Sequence, residues 1–401
     1  MMPKISLVGV LIVAAVAFVV PLALGVVPAL RVPSVVEIVA GIVIGPAVLG
    51  LVEVDAPLRF MALLGLAFLL FLAGTEIDLG GLLRGGALRS AGAGFALSLA
   101  IAFAVTSLLG IVGLIQAPLL VAIMLSATSL GIVVPVLADA GQSRSALGQL
   151  VIAGSSVADF GAVILLSLFF TGDSSSVGST LLLIGTFVVL VAAIGITVAE
   201  IEHLERLNTV LQRLQDTSAQ IRVRGALLFL IGFAVLARLL GLEIILGAFI
   251  AGTVLRLVDK DGMMTHPLFR QKLEAVGFDV FIPFFFVVSG IQLDVGALLA
   301  GGGAALAPVP IFLLALLLAR GLPAVLYRPM VDTKGVLAAA LLQATSLPFI
   351  VATTGIGMDL GILSPATGAA LVVAGLLSVV LFPLSALTLL RGGGGKRPST
   401  E

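Results

Sequence analysis

Residues 126–130 read Ser126-Ala-Thr-Ser-Leu130, and residues 343–347 read Gln343-Ala-Thr-Ser-Leu347. Each pentapeptide lies in the middle of a long apolar run. Gly131 and Pro135 follow the first copy, and Pro348 and Gly355 accompany the second. Proline removes a backbone donor and crowds the preceding turn, so both runs are expected to break as helices. Gly131, Pro135 and Pro348 mark the expected breaks. A break at membrane depth is tolerated only where it is buried in protein or lines a cavity. Freed carbonyls and the hydroxyls of Thr128, Ser129, Thr345 and Ser346 would then form a set of hard oxygen ligands. The competing reading is that these hydroxyls only help helices pack.

Three more segments recur in the same order. Leu150-Val-Ile-Ala-Gly154 returns as Leu371-Val-Val-Ala-Gly375, and Gly74-Thr-Glu-Ile-Asp78 as Gly290-Ile-Gln-Leu-Asp294. Glu37-Ile-Val-Ala-Gly41 is echoed by Glu243-Ile-Ile-Leu-Gly247. The four offsets are 217, 221, 216 and 206 residues. Apolar helices match by chance, but four ordered matches point to an internal repeat.

Composition sets the surroundings of that repeat. The chain has 401 residues, 60% hydrophobic and 10% charged, too few charges to cover a soluble surface. The apolar runs divide into thirteen expected spans: 5–30, 35–52, 60–79, 91–115, 117–138, 146–170, 181–199, 225–240, 243–258, 275–293, 305–326, 335–355 and 366–390. Matched spans are seven apart, an odd number, so the two copies cross the bilayer in opposite senses. They cover about 5–170 and 225–390, inside one transmembrane domain of residues 1–390. Inverted repeats are the architecture of secondary transporters, with the substrate site near the midplane. The polar segment 200–224 carries Leu204, Leu207, Leu211 and Leu214 at helical spacing, so a linker helix is expected within 181–224. Residues 391–401 form a short tail.

With the N-terminus outside, 18 of the 21 Lys and Arg fall on the cytoplasmic side, leaving Lys4, Arg59 and Arg238 outside. Loop charge sets orientation, so N-out and C-in is expected, in the cell's inner (plasma) membrane. Lys4 and the apolar stretch after it have the outline of a signal peptide, but the run continues to Leu30 and the charge pattern needs it as a retained span. Zero formal net charge offers nothing to nucleic acid, and the lack of cysteine excludes thiol chemistry and disulfides. The only imidazoles, His203 and His266, lie in polar loops. No metalloprotease or P-loop pattern is present, so neither an enzyme nor an ATP-driven pump is expected, and no cofactor is implied.

Asp159 stands near the centre of the sixth span, whereas the other acids fall in loops or near helix ends. An ionised carboxylate at that depth costs at least ~2.5–3.5 kcal/mol and persists with a partner or a task. The functional reading is one carboxylate for which a proton and a cation compete. The structural reading is a protonated acid bonded to a neighbouring helix. Ser155 and Ser156 lie one turn before it, either as ligands or as packing residues. Arg320, two turns inside the eleventh span, is either a counter-ion or a snorkelling side chain. The Phe281-Ile-Pro-Phe-Phe-Phe286 run reads as packing.

Four segments carry a resemblance: Glu37-Ile-Val-Ala-Gly-Ile-Val-Ile-Gly-Pro-Ala-Val-Leu-Gly50, Phe71-Leu-Ala-Gly-Thr-Glu-Ile-Asp78, Leu246-Gly-Ala-Phe-Ile-Ala-Gly252 and Pro283-Phe-Phe-Phe-Val-Val-Ser-Gly290. The chain resembles the monovalent cation:proton antiporter superfamily, in the branch of bacterial sodium/hydrogen exchangers and glutathione-gated potassium efflux systems. The resemblance implies an all-α homodimer. Each protomer would pair a dimerisation domain with a moving core that holds two crossed, broken helices. It also implies that Asp159 is the essential aspartate, binding H+ and either Na+ or K+. Ala158 departs from the Asn, Asp or Gln that the family places before that aspartate. The tenth span lacks the lysine of electrogenic members, so electroneutral exchange is expected. The chain stops soon after the last span, so no nucleotide-binding regulatory domain is expected. A sodium-coupled symporter of an organic anion is the alternative on the same architecture.

Overall fold

The computed structural model describes residues 7–26, 33–76, 87–143, 145–170, 178, 182–187, 189–191, 193, 221–258, 267–293 and 306–391. The polar part of the expected linker helix, 200–220, and the tail after Arg391 lie outside the described residues. Among the described residues every regular element is helical. In chain order these are α1 (Leu7–Val26), α2 (Pro33–Ile44), α3 (Ala56–Glu76), α4 (Ala87–Ile111), α5 (Pro118–Ser126), α6 (Leu130–Asp139) and α7 (Ala146–Phe169). Part of the seventh expected span, within Leu182–Val191, is also helical. There follow α8 (Ile221–Leu239), α9 (Ile244–Val258), α10 (Pro267–Val276), a π-type turn at Gly277–Phe281 and α11 (Ile282–Gln292). The last are α12 (Pro308–Gly321), a 3-10 turn at Leu322–Tyr327, α13 (Thr333–Gln343), α14 (Pro348–Asp359) and α15 (Pro365–Arg391).

Eight helical stretches among the described residues are long and apolar enough to cross a bilayer, and four shorter apolar helices accompany them. The chain is a multi-pass membrane protein. The second expected span is shorter than its hydrophobicity suggests. α2 stops at Ile44 rather than Val52, because Pro46 has no N–H to donate and disfavours helical backbone at Gly45. The chain then folds back on the helix end, with Leu51 N–H donating to Ile44 O at 2.9 Å.

The chain divides into two compact units. One comprises Met1–Val19, Glu53–Leu79 and Leu166–Val288. Its centre is the seam between α3 and α9, which lie backbone to backbone. A methyl added at Gly74 would strike the Phe249 carbonyl, and one at Gly252 the Phe71 carbonyl. Small residues allow such approach in lipid, where dispersion and not water drives association. Phe68 and Phe281 stack in the same unit, with ring centroids 5.3 Å apart.

The other unit comprises Val20–Val52, Gly80–Leu165 and Ser289–Glu401. It holds α4, α5, α6, most of α7, and α12 to α15. Val133, Leu137, Val151, Ala324, Tyr327 and Leu342 are buried together in its apolar core. All the candidate site residues belong to this unit.

Candidate functional site

Two helices stop in mid-run inside this second unit. α5 ends at Ser126, residues 127–129 are unwound, and α6 begins at Leu130. α13 ends at Gln343, residues 344–347 are non-helical, and α14 begins at Pro348. Pro348 takes the first helical turn, where a missing N–H costs nothing. Gly131 and Pro135 do not form the first break, which correct reading places at Ala127–Ser129. Both residues sit inside α6, and Pro135 is carried within that helix.

The physical cause of the first break is bonding across the unit. Ser129 N–H donates to Thr345 O at 2.8 Å, so the two unwound segments meet. Thr128 N–H donates to Asp159 Oδ1 at 3.0 Å, and Thr128 Oγ1 donates to Gln343 O at 2.7 Å. Backbone groups that a continuous helix would satisfy internally are taken by partners distant in sequence.

Arg320 closes the arrangement. It is 1% exposed, so it does not snorkel. Its Nε and Nη2 donate to Thr128 Oγ1 at 2.8 and 2.6 Å, and Nε also reaches Gln343 O at 3.4 Å. A threonine hydroxyl offers one donor and two acceptor positions, and Thr128 uses all three. The expectation that the Thr128 hydroxyl would ligate an ion is therefore corrected. Thr128 is a clamp, joining Arg320 to the second break by its side chain and Asp159 to the first by its backbone.

The other expected ligands fall into two groups. Ser156 Oγ donates to Ile152 O at 2.9 Å, within α7, and Thr345 Oγ1 to Leu341 O at 3.1 Å, in the last turn of α13, so both protons are spent on nearby backbone. Ser155 and Ser346 are buried, and their hydroxyl oxygens have no hydrogen-bond partner among the described residues. Ser129 is 8% exposed at the meeting point. Buried polar atoms are nearly always paired, so the Ser155 and Ser346 oxygens are open to a further partner. Among the described residues, no three His, Asp or Glu side chains gather into a resident metal centre. One carboxylate, hydroxyls and carbonyls suit a hard monovalent cation as passing cargo, and the same carboxylate can hold a proton instead.

Sequence reasoning missed two residues here. Gln343 Nε2 donates to Tyr327 Oη at 2.6 Å, and Tyr327 Oη reaches Leu150 O at 3.4 Å. Gly154 admits this pair against α7, since a methyl there would stand 2.5 Å from Gln343 Nε2 and 2.6 Å from Tyr327 Oη. The available signals were a glutamine heading the second pentapeptide at membrane depth and the single tyrosine of the chain.

Comparison with known proteins shows which family the chain falls in. The family model described as "Sodium/hydrogen exchanger, transmembrane" matches residues 14–392. The chain is similar to the putative Na+/H+ antiporter YjbQ of Bacillus subtilis, 29% identical over 374 residues, covering 88% of this chain and 58% of that protein. It thus spans a little under two thirds of the length of YjbQ. It is 27% identical over 361 residues to the Na+/H+-K+ antiporter GerN of Bacillus cereus, covering 88% of each. The fold is similar to that of the sodium proton antiporter MjNhaP1 of Methanocaldococcus jannaschii. The TM-score is 0.64 at 18% identity, over 97% of this chain and 99% of that one.

Proposed function

Because the chain belongs to the sodium/hydrogen exchanger transmembrane family, we propose that it is a secondary antiporter exchanging Na+ or K+ for H+ at Asp159. The observation that carries this reading is the bond from Thr128 N–H to Asp159 Oδ1 at the point where the two unwound segments meet. The carboxylate takes the Thr128 N–H where helix geometry has been given up, and the unpartnered Ser346 hydroxyl belongs to the segment that meets that break. A proton and a cation compete for it, and the empty ionised form crosses poorly because an uncompensated charge in the bilayer is costly. Such competition couples two opposed fluxes without ATP.

The cycle is alternating access of the elevator type. Residues 5–170 and 225–390 act as inverted repeats within a thirteen-span fold, and two protomers pair. The termini lie N-out and C-in, in the plasma membrane. Cation ligands are Asp159, Ser155, Ser346 and Ser129, while Thr128, Arg320 and Thr345 hold the breaks. Exchange is one for one and electroneutral. The name of GerN supports K+ as a second cargo beside Na+. Organic-anion symport would call for a free cationic group, and the Arg320 guanidinium is already engaged by Thr128 and Gln343.

The test uses everted vesicles with a pH-sensitive dye. Adding Na+ or K+ to acid-loaded vesicles should dequench the dye, and Asp159→Asn should abolish the response while leaving the protein in the membrane. Intact wild-type protein with no response to Na+, K+ or Li+ between acidic and alkaline pH overturns the reading.

A further inference from the structure

Unwinding residues 344–347 frees backbone groups that a bilayer cannot hydrate. Ser378, fully buried within α15, takes two of them. Ser346 N–H donates to Ser378 Oγ at 3.2 Å. The same hydroxyl shares its own proton between Ser346 O at 3.0 Å and Gly375 O at 2.7 Å. Gly375 allows the approach, since a methyl there would stand 3.1 Å from the Ser346 carbonyl oxygen. One side chain therefore holds both the donor and the acceptor of Ser346. The Ser346 hydroxyl is left buried and without a partner among the described residues.

The first break is held in a parallel way. Asp159, on α7, takes the Thr128 N–H. In each case the brace comes from the long helix that follows the broken pair in the chain. The two braces differ in one chemical respect: a carboxylate titrates and binds cations, and a serine hydroxyl does neither. The register of the second break also reaches the first, because Ser129 N–H is bonded to Thr345 O at 2.8 Å, next to Thr128.

We propose that Ser378 is a positioning residue for exchange at Asp159. It is a charge-free brace that keeps the second break unwound and in register whatever Asp159 holds. Proton or cation arrival changes the acceptor of the Thr128 N–H, while Ser346 keeps its bonds to Ser378. The ligand oxygens of the second break then meet each incoming cation in one geometry. The consequence for transport rests on the antiport reading above; the bracing of the backbone does not.

Ser378→Ala and Ser378→Thr, made in the full chain, test this with two measurements. Amide hydrogen exchange in lipid nanodiscs should be faster at residues 345–347 in Ser378→Ala and close to wild type in Ser378→Thr, which keeps the hydroxyl. In vesicles, Ser378→Ala should raise the apparent KM for the cation about five- to tenfold, as expected when the buried hydrogen bonds to Ser346 are lost, with turnover at saturating cation within about twofold of wild type. Ser378→Thr should restore the KM. Unchanged exchange at 345–347 in Ser378→Ala overturns the proposal. So does a variant that loses turnover at constant KM, the pattern of a merely structural role. If the wild type itself moves no protons in response to cations, the antiport reading falls and hydrogen exchange alone decides the brace.

Discussion

Thr128 joins the three charged or unwound parts of the site, and its substitution should show this. Replacing it with valine removes the acceptor of two Arg320 N–H groups and leaves the guanidinium buried without them. An unsatisfied buried donor costs about 1–3 kcal/mol, more when charged, so Thr128→Val should lower the melting temperature clearly. Thr345→Val forfeits only a local bond to the end of α13 and should cost less than about 1 kcal/mol. Arg320→Ala should be worse than either, about 3 kcal/mol, since it strips Thr128 Oγ1 of both its donors and empties a fully buried position. The chain has no tryptophan, so heated samples are best followed by size-exclusion of a fluorescent fusion. Equal losses for Thr128→Val and Thr345→Val would contradict the clamp.

Helices in this protein are broken and joined by what their backbone meets. Gly131 has nothing within 4 Å of an added methyl and lies in the first turn of α6. Gly131→Ala should therefore be neutral or stabilising by up to about 1 kcal/mol, as for a glycine relieved of its chain entropy in a helix. A large loss would restore Gly131 as a required break point. Gly252 is the opposite case, because its added methyl would meet the Phe71 carbonyl and the Thr75 N–H, which are backbone and cannot step aside. Gly252→Ala should cost about 1–3 kcal/mol by overpacking the seam between α3 and α9, read in the same melting assay. Sequence alone marked Gly131 as an expected break and Gly252 only as the end of a segment that carries the family resemblance. It had no means of telling open space from a neighbouring helix.

Two properties belong to the protein as a working whole. If a proton and a cation share one carboxylate, each unit fall in pH below that group's pKa raises the apparent cation KM about tenfold, because the cation must displace a bound proton. Maximal turnover should persist at acidic pH and fall on the alkaline side, where protons to carry back are scarce. A KM independent of pH would rule out a shared site. Electroneutral exchange predicts no current on a solid-supported membrane when a cation gradient is applied to proteoliposomes that acidify or alkalinise normally. A current that reverses with voltage would reject the one-for-one stoichiometry.

What the sequence determined by itself was the solvent, together with a candidate place for the chemistry. Sixty per cent hydrophobic residues in long runs leave no alternative to a membrane, and a carboxylate at the centre of one run points to function because the bilayer penalises it. The paired Ala-Thr-Ser-Leu segments announced two breaks through local chemistry. Only the tertiary structure decided where the breaks fall and which oxygens are spent. Gly131 and Pro135 yielded to Ala127–Ser129, Thr128 became a clamp, Arg320 turned out to be fully buried, and Ser378 and Gln343 entered unannounced. The reason is that propensity acts along the chain, whereas a hydroxyl or N–H inside a membrane must find its partner wherever packing brings one. Those partners lie up to 216 residues away.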